Sequence, residues 1–257
     1  MTDYIRETMR FRMSGENVNE KRKPRKRFAA VITIAVLLTA AAAMYLLFTY
    51  TADDKARMAM QSDDTVSVTK MSYGYYFDGP SEDTAMIFYP GANVEETAYA
   101  PLMHELASDG IDACVVKVPF HIAFFRMNAA DEVLKAHSFK NWYIGGHSLG
   151  GTIAAGYASD HPETFSGVIL MASYPYRDMP DNMTLVQLTG SEDHVINRER
   201  MKDSVKYCPE NYIDHTIEGG NHSGFGSYGL QIGDGTAYIT QEEQVRETVD
   251  VITALTA

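Results

Sequence analysis

The stretch from Asn141 to Gly156, NWYIGGHSLGGTIAAG, is the part of the chain whose reading decides the fold. NWYIG reads as a strand, and Thr152-Ile153-Ala154-Ala155-Gly156 begins a helix of small residues. Between them lies Gly146-His147-Ser148-Leu149-Gly150, a G-x-S-x-G pattern in a strand-turn-helix context. A turn this tight forces strained dihedrals on the serine and needs side chains without bulk two residues before and after it. Gly146 and Gly150 meet that need. The string alone arises by chance in roughly one chain in ten of this length, so the information lies in the context.

Working outward, short β-rich runs alternate with helical patterns of ten or more residues, the signature of a mostly parallel sheet covered by helices. The strands are expected at 66–71, 73–77, 85–89, 112–118, 141–145, 167–172, 184–189 and 211–217. The first two are close enough to form an antiparallel pair at an edge. Helices are expected at 95–109, 121–137, 149–160, 197–207 and 241–255. The connection from Ser173 to Met183 carries Pro175 and Pro180, which disfavour a helical insert there.

Upstream, Phe28 to Tyr50 (FAAVITIAVLLTAAAAMYLLFTY) contains no charge, proline or glycine. At 1.5 Å per residue it reaches about 35 Å, enough to span a hydrocarbon core. Lys21 to Arg27, KRKPRKR, carries six positive charges immediately before it. A cleaved signal peptide is the rival reading, given the small residues Ala40 to Ala43. The long region before the apolar run and the length of the run itself favour an uncleaved anchor. The charge asymmetry places the N-terminus in the cytosol and the rest of the chain outside. The expected organisation is a basic arm (1–27), a transmembrane helix (28–50), an acidic tether (51–65) and one α/β domain (66–257).

Residues 51–257 carry 13 Lys/Arg against 30 Asp/Glu, a formal net charge of −17, which argues against nucleic acid or a polyanion as partner. The basic arm instead suits an anionic inner leaflet. Cys114 and Cys208 are too few for a disulfide framework, and Cys114 lies in an expected buried strand as a free thiol. There is no H-E-x-x-H and no Cys/His cluster, so no metal or other cofactor is expected.

From about Val66 onward the chain resembles an α/β-hydrolase, similar to compact, lid-poor members of the fold-5 and dienelactone-hydrolase type. The resemblance rests on IFYPGANVEETAY (Ile87 to Tyr99), YIGGHSLGG (Tyr143 to Gly151), LTGSEDHVI (Leu188 to Ile196) and EGGNHSGFG (Glu218 to Gly226). It implies the order nucleophile, acid, histidine, and hence Ser148, Asp193 and His222. Asp193 matches the family's G-x-x-D pattern after the seventh strand, with Glu192 and Asp214 as weaker acids. His222 sits in the Gly-rich loop where the family places its base, with His194 and His215 as rivals. His147 is expected to pack against the turn. The oxyanion donors are expected to be the backbone N–H groups of Leu149 and, by position, Ala92. Pro90-Gly91-Ala92-Asn93 replaces the His-Gly string of many relatives, but backbone donation does not depend on side-chain type.

A serine hydroxyl needs a base within hydrogen-bond reach, and the base needs a third group to fix its tautomer. That set points to hydrolysis of a small-molecule carboxylic ester or thioester through an acyl-enzyme. Peptidase and acyltransferase use the same residues, and a non-catalytic surface binding protein on this fold is the alternative of a different class. Selectivity is expected from Pro119-Phe120-His121, Phe124-Phe125, Tyr174-Pro175-Tyr176 and Phe225-Gly226-Ser227-Tyr228, whose aromatics suit an apolar group.

Overall fold

The computed structural model describes residues 28–37, 39, 49–81 and 83–256. Two compact units divide the chain, Met1–Phe48 and Thr49–Ala257. In the first, residues 28–37 are helical. The remainder of the expected span up to residue 48, apart from residue 39, lies outside the described residues, as does the basic arm 1–27. No helix among the described residues is long and apolar enough to cross a membrane.

The second unit is built on eight strands: β1 Ser67–Lys70, β2 Gly74–Asp78, β3 Thr84–Tyr89, β4 Asp112–Val116, β5 Asn141–His147, β6 Gly167–Met171, β7 Thr184–Gly190 and β8 Tyr212–Ile217. They form one sheet in the order β1-β2-β4-β3-β5-β6-β7-β8. β1–β2 and β2–β4 pair antiparallel, and every later neighbour pairs parallel. β3, β4 and β6 are buried along their whole length, which is why TAMIFY, DACVV and GVILM read as continuous rather than alternating apolar runs. From β3 the chain steps to β4 on one side and then to β5 on the other. That reversal opens a crevice at the carboxyl ends of the central strands, where such sheets hold their ligands.

Among the described residues six helices belong to this unit: α1 Asp54–Ala59, α2 Ala100–Ser108, α3 Ala130–Ala136, α4 Leu149–Asp160, α5 Arg198–Ser204 and α6 Gln241–Thr256. α2 buries Leu102, Met103 and Leu106, and α6 buries Val245, Val249 and Ile252, both at helical spacing against one sheet face. α3 and α4 cover the other face with Val133, Ile153, Ala154 and Ala158. Small residues in α4 let it approach the sheet closely. A methyl at Gly150 would lie 2.3 Å from the carbonyl oxygens of Tyr89 and Pro90.

Two expectations need correction. The helix expected over 121–137 is broken into 3-10 turns at Pro119–His121 and Ala123–Arg126, with α3 starting only at Ala130. Phe120 (φ 56°) and His121 (φ 52°) are left-handed, which no continuous helix permits. The hydroxyl of buried Tyr89 then organises the start of α3, accepting from the Ala130 N–H at 2.9 Å and donating to the Met127 carbonyl at 2.7 Å. The acidic stretch 51–65 is also no loose tether. Asp53 caps α1, its side chain accepting from the Ala56 N–H at 3.0 Å, and Ala52, Ala56 and the following Val66 are buried. An acidic residue before a short helix is a capping signal as much as a mark of a solvated linker. The segment between Ser173 and Met183 contains no helix.

Candidate active site

Ser148 stands between β5 and α4 at φ 52° and ψ −124°, left-handed for a residue with a Cβ. The conformation is held from both sides. The Ser148 N–H donates to the Met171 carbonyl of β6 at 2.9 Å, and a methyl at Gly146 would lie 2.5 Å from the Tyr89 carbonyl. These contacts are why the turn accepts only glycine at its flanks.

Asp193 and His222 follow β7 and β8. The His222 Nδ1 faces Asp193 Oδ2 at 2.9 Å, with both side chains almost wholly buried. Asp193 Oδ1 accepts the N–H groups of Val195 and Ile196 at 2.9 and 2.8 Å. Burial alone would raise the carboxyl, but His222 and those two amides outweigh it and hold Asp193 below the usual carboxylate range. An ionised Asp193 accepts a hydrogen bond from Nδ1–H, which leaves Nε2 as the atom with the free lone pair. That Nε2 is buried without a hydrogen-bond partner. Among the described residues no hydrogen bond engages Ser148 Oγ, and none consumes the N–H of Leu149 or Ala92. Catalytic hydrogen bonds of this kind commonly tighten only with substrate present.

The rival residues are otherwise engaged. His215 pairs with Glu247 of α6 at 2.8 Å, His194 lies on the surface, and Asp214 is exposed on β8. Of the aromatics expected to line the entrance, Phe120, Phe124, Phe125 and Tyr176 are exposed, while Phe225 and Tyr228 are buried. Cys114 is a free buried thiol, pushed up to about 12 by burial, and Cys208 is free as well. No group of three or more His, Cys, Asp or Glu among the described residues is placed to hold a metal ion.

Three supporting residues carry no signal in a local motif. Tyr99 is fully buried beneath the turn; its hydroxyl accepts the Gly91 N–H at 3.0 Å and donates to His147 Nδ1 at 2.8 Å. One phenol thus ties the loop after β3 to the strand that carries Ser148. His147 lies with its ring 4.6 Å from that of His222, and burial, then the facing His222, hold it well below its ordinary value of 6.5. It stays neutral and leaves any positive charge to its neighbour. The His222 loop is fixed from two further points. Asp234 accepts from the His222 N–H at 3.2 Å and from the Ser223 N–H and hydroxyl at 2.8 and 2.7 Å. Gln244 of α6 both accepts from the Asn221 N–H (3.0 Å) and donates to the Asn221 carbonyl (2.8 Å). A trace of Asp234 exists in the sequence, where it is the sole charged residue between Glu218 and Glu242.

Comparison with known proteins agrees with the fold. The model of the alpha/beta hydrolase family matches residues 85–246. A serine hydrolase-like protein of Danio rerio is 32% identical over 81 residues, which are 32% of this chain and only 23% of that protein. Among solved structures, a soluble variant of the monoglyceride lipase of Saccharomyces cerevisiae superimposes with a TM-score of 0.57 at 10% identity, over 76% of this chain and 96% of its own. Alpha/beta hydrolase domain-containing protein 10 from mouse gives 0.56 at 13% identity, over 75% and 98%. At such identities the likeness speaks for the fold alone, whereas the family model covers more than half of the sequence. The chain belongs to the alpha/beta hydrolase family.

Proposed function

We propose that the protein is a serine hydrolase that cleaves a carboxylic ester through an acyl-enzyme. The observation that carries this is the buried Asp193–His222 contact of 2.9 Å at the same strand ends as a left-handed Ser148. Ser148 Oγ attacks the carbonyl carbon while His222 Nε2 takes its proton. Asp193 holds the Nδ1 proton and stabilises the imidazolium that forms. The N–H groups of Leu149 and Ala92 receive the oxyanion, a contribution of several kcal/mol. As the tetrahedral adduct collapses, the alcohol leaves with the proton from His222. Water, activated by the same nitrogen, then releases the acid. The segment from Ser173 to Met183 lacks a helix, which supports a compact enzyme with no lid at that position.

The chain is anchored by the apolar run up to residue 48, since Thr49 and Tyr50 already belong to the hydrolase unit, with its N-terminus in the cytosol and the hydrolase domain on the outer side. Its basic flank and the acidic body support that orientation. The test of the chemistry is hydrolysis of a short-chain p-nitrophenyl ester by the full chain and by Ser148→Ala. The expected result is turnover that falls at least about a thousandfold in a folded variant. Full activity in the variant would sink the assignment.

A further inference from the structure

The position at which the chain enters the domain bears on where its substrate resides. Tyr50, the last residue of the apolar run, is built into the rim of the site. Its N–H donates to the Asn93 carbonyl at 2.7 Å, its carbonyl accepts from the Glu95 N–H at 2.9 Å, and its hydroxyl accepts from the Ile232 N–H at 3.1 Å. Asn93 in turn donates its N–H to the His121 carbonyl at 2.8 Å. Tyr50 therefore lies between two segments: 118–125, reached through the loop that carries Ala92, and 223–233, which follows His222.

Each segment presents large apolar side chains at the surface. Phe120 (63%), Phe124 (63%) and Phe125 (58%) are exposed on the first, and Leu230 (61%) and Ile232 (76%) on the second. Neither contains a Lys, Arg, Asp or Glu, and nor does 85–94 between them, on a domain with 30 acidic residues. Phe120 and His121 in the first segment hold positive φ without being glycine (56° and 52°), a conformation kept against a backbone cost. Large exposed apolar patches mark docking surfaces, and aromatic residues favour the boundary between headgroups and acyl chains. The chain also names the occupant. Tyr50, Ala52 and Asp53 are hydrogen-bonded into the domain, so the apolar run joins the domain in sequence at this rim.

We propose that this rim docks on the lipid surface in which the apolar run before Thr49 is anchored, and that the ester cleaved at Ser148 resides in that bilayer. The docking rests on the anchor, and the substrate class rests in addition on the hydrolase assignment. Seated this way, the entrance takes an ester from among the lipids without passing it through water.

The test uses the full chain in phosphatidylcholine vesicles with and without brominated phosphatidylcholine. Phe124→Trp and Leu230→Trp each add one indole to a protein whose single Trp142 is buried. The added emission should fall at least twofold with brominated lipid in both variants, while that of Trp142 does not. A chain that sediments with vesicles but shows no quenching overturns the docking, and one that does not sediment overturns the anchor and the docking together. In a second arm, Leu230→Ser/Ile232→Ser should lose about tenfold in hydrolysis of vesicle-borne monooleoylglycerol with kcat/KM for p-nitrophenyl acetate unchanged. Equal effects on both esters overturn the substrate class. Quenched indoles on an enzyme inactive towards both esters would remove the hydrolase assignment and leave the docking standing.

Discussion

The turn that carries Ser148 and the loop that carries His222 face the same crevice but are held in place by different means. The turn is fixed by exclusion of volume: Gly146 and Gly150 lie so close to the Tyr89 and Pro90 carbonyls that no Cβ fits. The loop is fixed by hydrogen bonds from distant residues, Asp234 below it and Gln244 on α6. The difference teaches what each can tolerate. A packed turn fails as a unit when volume is added, whereas a hydrogen-bonded loop loses position by degrees as its partners are removed.

Gly150→Ala should break the turn outright. With its methyl at 2.3 Å from two carbonyl oxygens, neither of which can move without β3, the cost reaches about 3 kcal/mol or more. A melting temperature lower by about 10 °C, or no folded protein, is the outcome expected in a thermal scan. A variant as stable as the parent would mean that the turn is looser than its contacts imply. Gln244→Leu makes the contrasting change, leaving the Asn221 N–H and carbonyl buried without partners at about 1–3 kcal/mol each. It should fold with a melting temperature lower by roughly 5–10 °C and lose at least about tenfold in kcat, because a misplacement near 1 Å is enough to do so. Steady-state kinetics beside the thermal scan separate the two effects.

Tyr99→Phe lies between the two regions. It removes one buried hydroxyl and frees the Gly91 N–H and His147 Nδ1, at a cost of about 1–2 kcal/mol. Since Gly91 precedes Ala92, kcat should fall several-fold with KM little changed. A loss confined to KM would place Tyr99 in binding rather than in positioning the oxyanion loop.

The smallest effect is a dependence on pH. His147 is held neutral in the folded chain well below 6.5, so below that pH the unfolded chain binds a proton that the folded chain refuses. Stability contributed by neutral His147 is present above 6.5 and is lost as pH falls towards the folded value, with a slope of up to about 1.4 kcal/mol per unit. Asp193 is also depressed, but its contribution is lost only further down, below the ordinary carboxylate value of 3.8. Urea midpoints measured from pH 7 to 5 should therefore fall in the parent and fall less steeply in His147→Asn, in which His137, also held below 6.5 by burial, still titrates.

The same contrast explains what could be read in advance. The eight strands, the antiparallel edge pair and the turn at Ser148 were legible because each is specified within a dozen residues by period, branching and glycine spacing. The contact between Asp193 and His222 was legible through motifs that recur in the family. Tyr99, Asp234 and Gln244 were not, since their roles depend on partners 8 to 48 residues away that only the folded sheet brings near. The break in 121–137 escaped for a related reason: its sequence is helical in pattern, and left-handed Phe120 and His121 with the Tyr89 hydroxyl override it. The stretch 51–65 misled through composition, because its acidic residues mask the small residues that pack Ala52 and Ala56 into the core.

The most direct test of the account is the rate at which a fluorophosphonate labels Ser148 in the parent and in His222→Gln, measured under conditions in which both melt within a few degrees of each other. If Nε2 of His222 is the base, the variant should label at least about a thousandfold more slowly. Equal labelling rates in the two proteins would contradict it.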